Sequence, residues 1–299
     1  MLLFLLLVAL VFVVGRRCES PTVPSPRQEN CSIKRGKLEN WTAFQAKLAS
    51  EAAAWRKHKS SAGEKKPPLL LLGDSITEAL RGTAVGEVVK RTEGVEAVLP
   101  TAFSDWQSPL VLAISADETQ HLLWRLREGG ELPAALRHDP RLAISVLIGT
   151  NNLGNANHSE ESTAAGILAV ARELLSRTQG KLLLSALLPR SVAPPKNQKR
   201  NSPRKYTSIM PAVRRVNELV NASVYSELAA QYPGRVNLVD CGHVFAPKPN
   251  TAPATWAGVE LPAEVAADLM DDALHPNVEG TRLWTRCLSE ALAPWAAGP

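Results

Sequence analysis

From residue 69 onward the chain alternates short apolar segments with longer amphipathic ones, and this alternation constrains the fold more than any other feature. Five segments have the length and apolar content of strands: 69–72, 110–114, 142–148, 181–187 and 235–239. Helices are predicted at 76–90, 118–127, 162–176, 210–231 and 277–292. Unbroken apolar strands separated by helices indicate a parallel sheet covered on both faces. We therefore predict an α/β fold, a three-layer α/β/α sandwich around a mostly parallel sheet.

The domain boundaries follow from composition. A length of 299 residues with 45% hydrophobic and 21% charged residues suits one large domain with extensions. Residues 16–66 are mostly polar and include one predicted helix, at 41–58. Lys65-Lys66-Pro67-Pro68 closes this extension, since the residue before a proline is disfavoured in a helix. The main globular domain is predicted at 67–299.

The N-terminus predicts entry into the secretory pathway. Residues 1–14 are apolar without a break, but a membrane-spanning helix needs about 20 residues, so we predict a signal peptide at 1–15. After cleavage of this peptide the protein would have no stable membrane span and would be secreted. The alternative is a short type II anchor that keeps the protein in the Golgi or endoplasmic reticulum. Four N-glycosylation sequons support the same pathway; they begin at Asn30, Asn40, Asn157 and Asn221.

Cysteine use and charge exclude several classes of site. Cys18, Cys31, Cys241 and Cys287 allow a disulfide in an oxidising compartment, although their spacing does not fix the pairing. No Cys/His group has zinc-ligand spacing, and no metal or cofactor is predicted. The net charge is +5, but the basic residues are scattered outside 196–205 and aromatic residues are few. Nucleic acid is therefore not an expected partner.

Ser75 stands where a buried strand meets a helix. In "LLLLGDSITEAL" the apolar run stops at Gly-Asp-Ser, so the serine follows the carboxyl end of a strand. Reactive groups of parallel sheets lie at such ends. Free N–H groups at a helix start can also receive negative charge that develops when a hydroxyl attacks a carbonyl. The alternative is that Asp74 or Ser75 only caps the helix.

Two further segments supply partners for such a serine. In "DDALHPNVEG", Asp272 and His275 are three residues apart, a spacing that lets a carboxylate orient an imidazole base. Alternatively, Asp272 is solvated and His275 packs beside Pro276. In "LIGTNNLG", Asn151 follows a strand and could donate an amide N–H to an oxyanion, or could simply belong to a turn.

These segments together resemble a known superfamily. Residues 69–80, 110–126, 147–154 and 271–280 are similar to the four blocks of SGNH (GDSL-type) esterases and lipases. The branch resembling the α-subunits of intracellular platelet-activating-factor acetylhydrolase is closer, on "GDSITEAL", "DETQHLLWRL", "GTNN" and "LLPR". The resemblance spans about residues 65–295.

The resemblance implies a role for each candidate residue. Ser75 would be the nucleophile, with its own N–H in the oxyanion hole; His275 would be the base and then the acid; Asp272 would orient it; and Asn151 would be the side-chain oxyanion donor. Where the family has Asn-x-Gly-x-Gly-Gly-Asp, this chain has "VLAISAD", so Ala116 replaces the glycine whose N–H is the remaining donor. If that position needs a positive φ, the methyl group costs about 1 kcal/mol and narrows the pocket.

The expected function is a serine esterase that hydrolyses a short-chain ester, with acetyl preferred by resemblance. An O-acetylated glycan and a phospholipid-like ester remain open as substrates. A glycan O-acetyltransferase with the same triad and a non-catalytic, lectin-like or structural descendant of the fold are the alternatives. In the second block, Trp124 and Leu126 are expected to face the core. Arg125 and Arg190 are expected in ion pairs, and loop 190–205 is expected to be a solvated insertion.

Overall fold

The computed structural model describes residues 20–28, 35–55, 66–132, 134–194, 206–246, 255–256, 259–260 and 264–296. The predicted signal peptide or anchor, Cys18, Cys31, the Asn30 sequon and most of loop 190–205 lie outside these residues. No helix within the described ranges is long and apolar enough to cross a membrane.

The strands are few and short outside one central sheet. In chain order they are β1 Pro68–Gly73, β2 Thr83–Ala84, β3 Glu87–Val88, β4 Gln107–Ala113, β5 Ala143–Leu147, β6 Lys181–Ser185, β7 Ser191–Val192, β8 Thr207–Ser208, β9 Val236–Val239, β10 Thr255–Trp256 and β11 Val259–Glu260. The central sheet has the order β4-β1-β5-β6-β9, and all its pairs are parallel. The five predicted strands and their parallel arrangement are confirmed.

Helices cover both faces of this sheet. They are α1 Arg35–Ala54, α2 Ser75–Glu78, α3 Val98–Ala102, α4 Thr119–Arg127, α5 Ala134–Arg137, α6 Thr150–Gly154, α7 Glu160–Arg177, α8 Met210–Ser223, α9 Ala229–Gln231 and α10 Val278–Ala296. Helices α4, α7 and α8 pack side by side on one face, and α3 packs against α10 on the other. Strands β1 and β5 are buried along their whole length because they lie between these layers. The three-layer α/β/α sandwich is confirmed.

Four of the predicted core helices are present within a few residues of their expected bounds, as α4, α7, α8 with its extension, and α10. A π-helical turn, Val224–Leu228, joins α8 to α9, so the predicted helix 210–231 is continuous. Helix α1 begins earlier than predicted and ends at Ala54. Its Trp41, Phe44 and Leu48 belong to the same hydrophobic core as the sheet, so part of the N-terminal extension packs on the domain. The boundary at residue 67 stays a prediction.

The predicted helix at 76–90 is wrong. Helix α2 ends at Glu78, and a 3₁₀ turn, Ala79–Arg81, leads to Gly82 with a φ of 74°. Glycine enters this left-handed conformation without a steric penalty, so it ends the helix. The chain then forms the β2–β3 hairpin, because the Glu78 carboxylate accepts hydrogen bonds from Thr83 Oγ1 and Gly86 N, each at 2.9 Å. The stop signal at Gly82 is present in the sequence.

A disulfide joins Cys241 to Cys287, with a Cα–Cα distance of 5.9 Å. It connects the segment after edge strand β9 to helix α10, which follows the turn containing Asp272 and His275. With a sequence separation of 46 residues, loop-closure entropy gives such a bond a contribution of about 4 kcal/mol to the free energy of unfolding. This bond fixes the pairing that the cysteine spacing left open.

Candidate active site

The end of β1 presents Ser75 at the start of α2. Gly73 closes the strand where a Cβ atom would lie only 2.4 Å from Thr77 Oγ1 and 2.5 Å from Leu147 O, so no side chain fits there. Asp74 caps the helix by accepting a hydrogen bond from Ile76 N at 3.1 Å. Ser75 is therefore the first helical residue, and the capping role that the sequence left open belongs to Asp74.

Three side chains form a hydrogen-bonded row at the carboxyl end of the sheet. Ser75 Oγ lies 3.0 Å from His275 Nε2, and His275 Nδ1 lies 2.7 Å from Asp272 Oδ2. The serine is only 4% exposed, whereas the His275 and Asp272 side chains are 19% and 27% exposed. The structure thus brings together all three residues that the sequence singled out, in the geometry of a nucleophile, a base and its orienting carboxylate.

The backbone around Asp272 fixes this carboxylate. Its Oδ1 atom accepts hydrogen bonds from the N–H groups of Leu274, at 3.1 Å, and His275, at 2.7 Å. Ala273 between them has a φ of 57°, a left-handed conformation that turns the following residues back toward the carboxylate. Burial alone would raise the pKa of Asp272. However, the hydrogen bonds from the His275 ring, His275 N and Leu274 N, with charge attraction to His275, lower this pKa below its usual value of 3.8.

Ala116 and Asn151 follow the two strands that flank β1. Ala116 is exposed and has a φ of 64°, so the position does adopt the conformation in which alanine is less favourable than glycine. The Asn151 amide is oriented by two bonds: its Oδ1 accepts from Asn155 Nδ2 and its Nδ2 donates to Asp117 O, each at 2.9 Å. An amide nitrogen carries two hydrogens, so the second remains for another acceptor.

Glu78 is a buried residue of the site that the sequence analysis missed. Its Oε2 atom accepts hydrogen bonds from Ser115 N and Ser115 Oγ, each at 2.6 Å, while Oε1 holds the β2–β3 hairpin. The carboxylate therefore fixes the loop that leads to Ala116. The only signal in the sequence is an acidic residue one turn after the serine, at the start of the predicted helix.

A buried ion-pair cluster lies behind the same loop. Asp117 contacts Arg125 Nε at 2.8 Å and Arg27 Nε at 3.2 Å, and it accepts a hydrogen bond from Trp41 Nε1 at 2.8 Å. The expected ion pair of Arg125 is confirmed, and Leu126 is buried as predicted.

Trp124 packs against the hydrophobic core as expected; it is half-buried, with its ring centroid 5.9 Å from that of the buried Trp41. The expectation for Arg190 ends differently. Arg190 was expected in an ion pair, but its guanidinium donates hydrogen bonds to Thr150 O, Thr150 Oγ1 and Asn155 Oδ1. Because Thr150 and Asn155 lie on either side of Asn151 in the chain, Arg190 thus holds the turn that carries Asn151.

Two cavities border the Asp272–His275 turn. One, of about 390 Å³, is lined by Lys90, Arg91, Asp271, Asp272, His275, Pro276 and Asn277. The other, also about 390 Å³, is lined by Asn155, Arg190, Ser191, Val192, Ala193, Tyr206, Asp272 and Leu274. Each has room for a small acyl or alcohol group beside the row. In the described part of the chain, no group of three or more His, Cys, Asp or Glu side chains is arranged to hold a metal ion.

Comparison with known proteins places this geometry in context. The GDSL-like lipase/acylhydrolase family matches residues 71–283. The platelet-activating factor acetylhydrolase IB subunit alpha1 of Bos taurus is 29% identical over 170 residues, which cover 56% of this chain and 59% of that protein. The platelet-activating factor acetylhydrolase IB subunit beta homologue of Drosophila melanogaster is 28% identical over 170 residues, which again cover 56% of this chain and 59% of that protein. The chain thus matches less than two thirds of the length of these relatives.

Solved structures agree with the fold. The crystal structure of a Bacteroides fragilis protein described as an acylhydrolase superposes on this chain with a TM-score of 0.53 at 19% identity. The superposition covers 85% of this chain and 97% of that one. A GDSL-like lipase of Bacteroides thetaiotaomicron gives a TM-score of 0.52 at 18% identity, covering 85% and 98%. At these identities the likeness concerns the arrangement of the sheet and helices.

Asp74 generates a prediction about pH, because its carboxyl is completely buried. Burial raises its pKa to about 7, while the hydrogen bond from Ile76 N and the charge of Arg190 act in the opposite direction. The folded protein therefore binds more protons at this group than the unfolded chain between about pH 4 and pH 7, and the group's contribution to stability falls as pH rises through that range. Asp74→Asn keeps the helix cap and removes the titration.

We expect urea unfolding at pH 5 and pH 7.5 to show a smaller pH-dependent loss of unfolding free energy in Asp74→Asn than in the unchanged protein. Ser104→Ala, a substitution of an exposed residue that does not titrate in this range, is the control and should leave the pH dependence unaltered. Equal pH dependence in Asp74→Asn and the unchanged protein would contradict the raised pKa.

Proposed function

The chain belongs to the GDSL-like lipase/acylhydrolase family, and we propose that it is a serine esterase that hydrolyses a short-chain ester through an acyl-enzyme intermediate. The observation that carries the proposal is the unbroken row from Ser75 Oγ through His275 to Asp272, with distances of 3.0 Å and 2.7 Å. A hydroxyl is a weak nucleophile, and an adjacent oriented base is what activates it.

In the first half-reaction, Ser75 Oγ attacks the ester carbonyl carbon as its proton moves to His275 Nε2. The carbonyl oxygen becomes an oxyanion, and the N–H groups of Ser75 and Ala116 with the Asn151 amide donate hydrogen bonds to it. Asp272 holds the imidazole through Nδ1 and stabilises the imidazolium. When the tetrahedral intermediate collapses, the bond to the alcohol oxygen breaks and His275 Nε2 protonates that oxygen.

In the second half-reaction, His275 Nε2 takes a proton from water as the water oxygen attacks the acyl carbon. A second tetrahedral intermediate forms in the same oxyanion hole. Its collapse breaks the bond to Ser75 Oγ, which regains a proton from His275, and the carboxylic acid leaves. The cycle needs only the ester and water, so these residues account for every proton that moves.

An acetyl group is the proposed acyl group. The exposed methyl of Ala116 stands beside the proposed oxyanion donor where the family has a glycine hydrogen, and it would reduce the space next to the acyl carbon. The bovine and fruit-fly relatives carry the name of an acetylhydrolase, which supports the same choice. The alcohol portion would lie in one of the two cavities that flank the Asp272–His275 turn, which are large enough for a sugar or a glycerol unit.

The proposal places the enzyme in the secretory pathway. The Cys241–Cys287 disulfide fits an oxidising compartment. The sequon asparagines Asn40, Asn157 and Asn221 are exposed in the described part of the chain, where an oligosaccharide can be attached without displacing packed atoms.

Ser75→Ala tests the central step. Because it removes the nucleophile and leaves the fold, we expect the rate on 4-nitrophenyl acetate to fall by at least about 10³-fold. His275→Ala should show a loss of similar size, because the two residues act as a unit. Equal rates in Ser75→Ala and the unchanged protein would contradict the esterase and favour a binding protein built on the same fold.

Asp272→Asn tests the orienting role. The Asn Oδ1 atom can keep both backbone hydrogen bonds, but the amide N–H₂ then faces His275 Nδ1 and favours the tautomer whose Nε2 carries a proton. That tautomer cannot accept the Ser75 proton, so we expect kcat to fall by about 10³- to 10⁴-fold while unfolding changes little. A change of less than about tenfold would show that Asp272 does not set the tautomer.

Glycan attachment tests the compartment. When the full chain is expressed in animal cells, we expect treatment with an N-glycosidase to lower its apparent mass, because exposed sequons are modified during secretion. Asn157→Gln and Asn221→Gln should each reduce that shift. A protein of unmodified mass in the cell interior would contradict the proposed localisation.

A further inference from the structure

The peptide between Ser115 and Ala116 is held from both sides. Its neighbours on the amino side, Ser115 N and Ser115 Oγ, donate to Glu78 Oε2, while the Ser115 carbonyl oxygen accepts a hydrogen bond from Arg27 Nη2. A trans peptide is planar, with its C=O and N–H pointing in opposite directions. A group that fixes the Ser115 carbonyl therefore also fixes the direction of the Ala116 N–H.

Arg27 reaches this peptide from outside the matched family region, which begins at residue 71. Its segment is docked on α4 by two further bonds, from Thr119 Oγ1 to Pro21 O at 2.9 Å and from Ser25 N to Gln120 O at 3.2 Å. The Arg27 side chain is buried, pairs with Asp117 at 3.2 Å and lies over the Trp41 ring at 5.9 Å. The guanidinium is thus restrained on several sides, and its direction is set by the fold.

The conformation of Ala116 explains why such a restraint matters. A φ of 64° is less favourable for alanine than for glycine, so the peptide keeps this conformation only if surrounding groups hold it. Where a glycine could adopt the conformation without a steric penalty, this chain has a methyl group and an arginine contact. The positive charge also polarises the peptide, which strengthens its N–H as a donor.

We propose that Arg27 is a positioning residue for the reaction: it holds the Ser115–Ala116 peptide so that the Ala116 N–H points at the oxyanion. The N-terminal segment that precedes α1 is then part of the catalytic apparatus. This inference rests on the proposed esterase function, in which Ala116 N–H is an oxyanion donor.

The test compares Arg27→Met with the unchanged full-length protein on 4-nitrophenyl acetate. Because Asp117 keeps Arg125 and Trp41 as partners, the variant should fold. Loss of one oxyanion donor typically reduces kcat by about 10²- to 10³-fold, so misdirection of one should reduce it by about 10- to 100-fold. KM should change by less than about threefold, since the ester ground state needs this donor little.

A boronic acid supplies a readout that a purely structural role would not move. It forms a tetrahedral adduct with a serine hydroxyl, and one adduct oxygen takes the place of the oxyanion. We expect the inhibition constant of phenylboronic acid to rise in Arg27→Met by about the same factor as kcat falls. Arg27→Lys keeps the charge beside Asp117 but not the planar fork of donors, so it should recover only part of the activity.

Arg235→Met is the matched control. Arg235 also holds backbone carbonyls, those of Gly180, Thr178 and Leu175, but at the end of the sheet opposite Ser75. The Arg235→Met variant should be destabilised like Arg27→Met, but its kcat should stay within about twofold of that of the unchanged protein. An unchanged kcat in Arg27→Met, a full recovery in Arg27→Lys, or an equal loss of kcat in Arg235→Met would each overturn the proposal.

A crystal structure of Arg27→Met separates this inference from the esterase proposal. If the unchanged protein does not cleave the ester, the proposed function fails, and the conformation at Ala116 alone decides the role of Arg27. A rotated Ser115–Ala116 peptide with a negative φ at Ala116 would support positioning. A peptide that keeps its φ near 64° would refute it, whatever the substrate.

Discussion

The parallel register of three adjacent strands is the constraint on which the site depends. Gly73 at the end of β1 pairs with Ala113 of β4 on one side and with Leu147 of β5 on the other. The three strands therefore end at the same level of the sheet. Ser75, Ala116 and Asn151 each lie within four residues of these strand ends. A shift of one residue in either pairing would turn every side chain of that strand to the other face. A Cβ atom at Gly73 would lie 2.5 Å from Leu147 O, so a slip that placed a leucine there would cause a clash. This close approach restrains the register and, through it, the spacing of the three residues.

The sheet was predictable from the sequence because its strands are buried on both faces and so are apolar without interruption. Ser75, Asp272 and His275 could be selected because their residue types and their places after the right elements are visible in one chain. The prediction of a helix at 76–90 is wrong because its amphipathic spacing continues past Gly82, whose left-handed φ ends the turn. Local pattern gave the elements, and one backbone conformation decided where an element stopped.

Other parts of the site could not be read from the sequence, because they consist of contacts between distant residues. Arg27 lies in a proline-containing segment without periodicity, and its partners Ser115 and Asp117 are about 90 positions away. Glu78 is a plausible surface residue until the loop that carries Ser115 folds over it. The pairing of Cys241 with Cys287 likewise depends on where α10 packs. Each of these contacts needs the assembled sheet before its two partners meet.

The separation of Ser75 from its base has a consequence for biosynthesis. The two residues that form the 3.0 Å contact lie 200 positions apart in the chain. A ribosome adds about 5–20 residues per second, so the hydroxyl emerges about 10–40 seconds before the imidazole that would activate it. A nascent chain therefore carries an inert alcohol through most of its synthesis. The Ser75–His275 contact can form only after the last strand and the turn that contains Asp272 and His275 have left the ribosome.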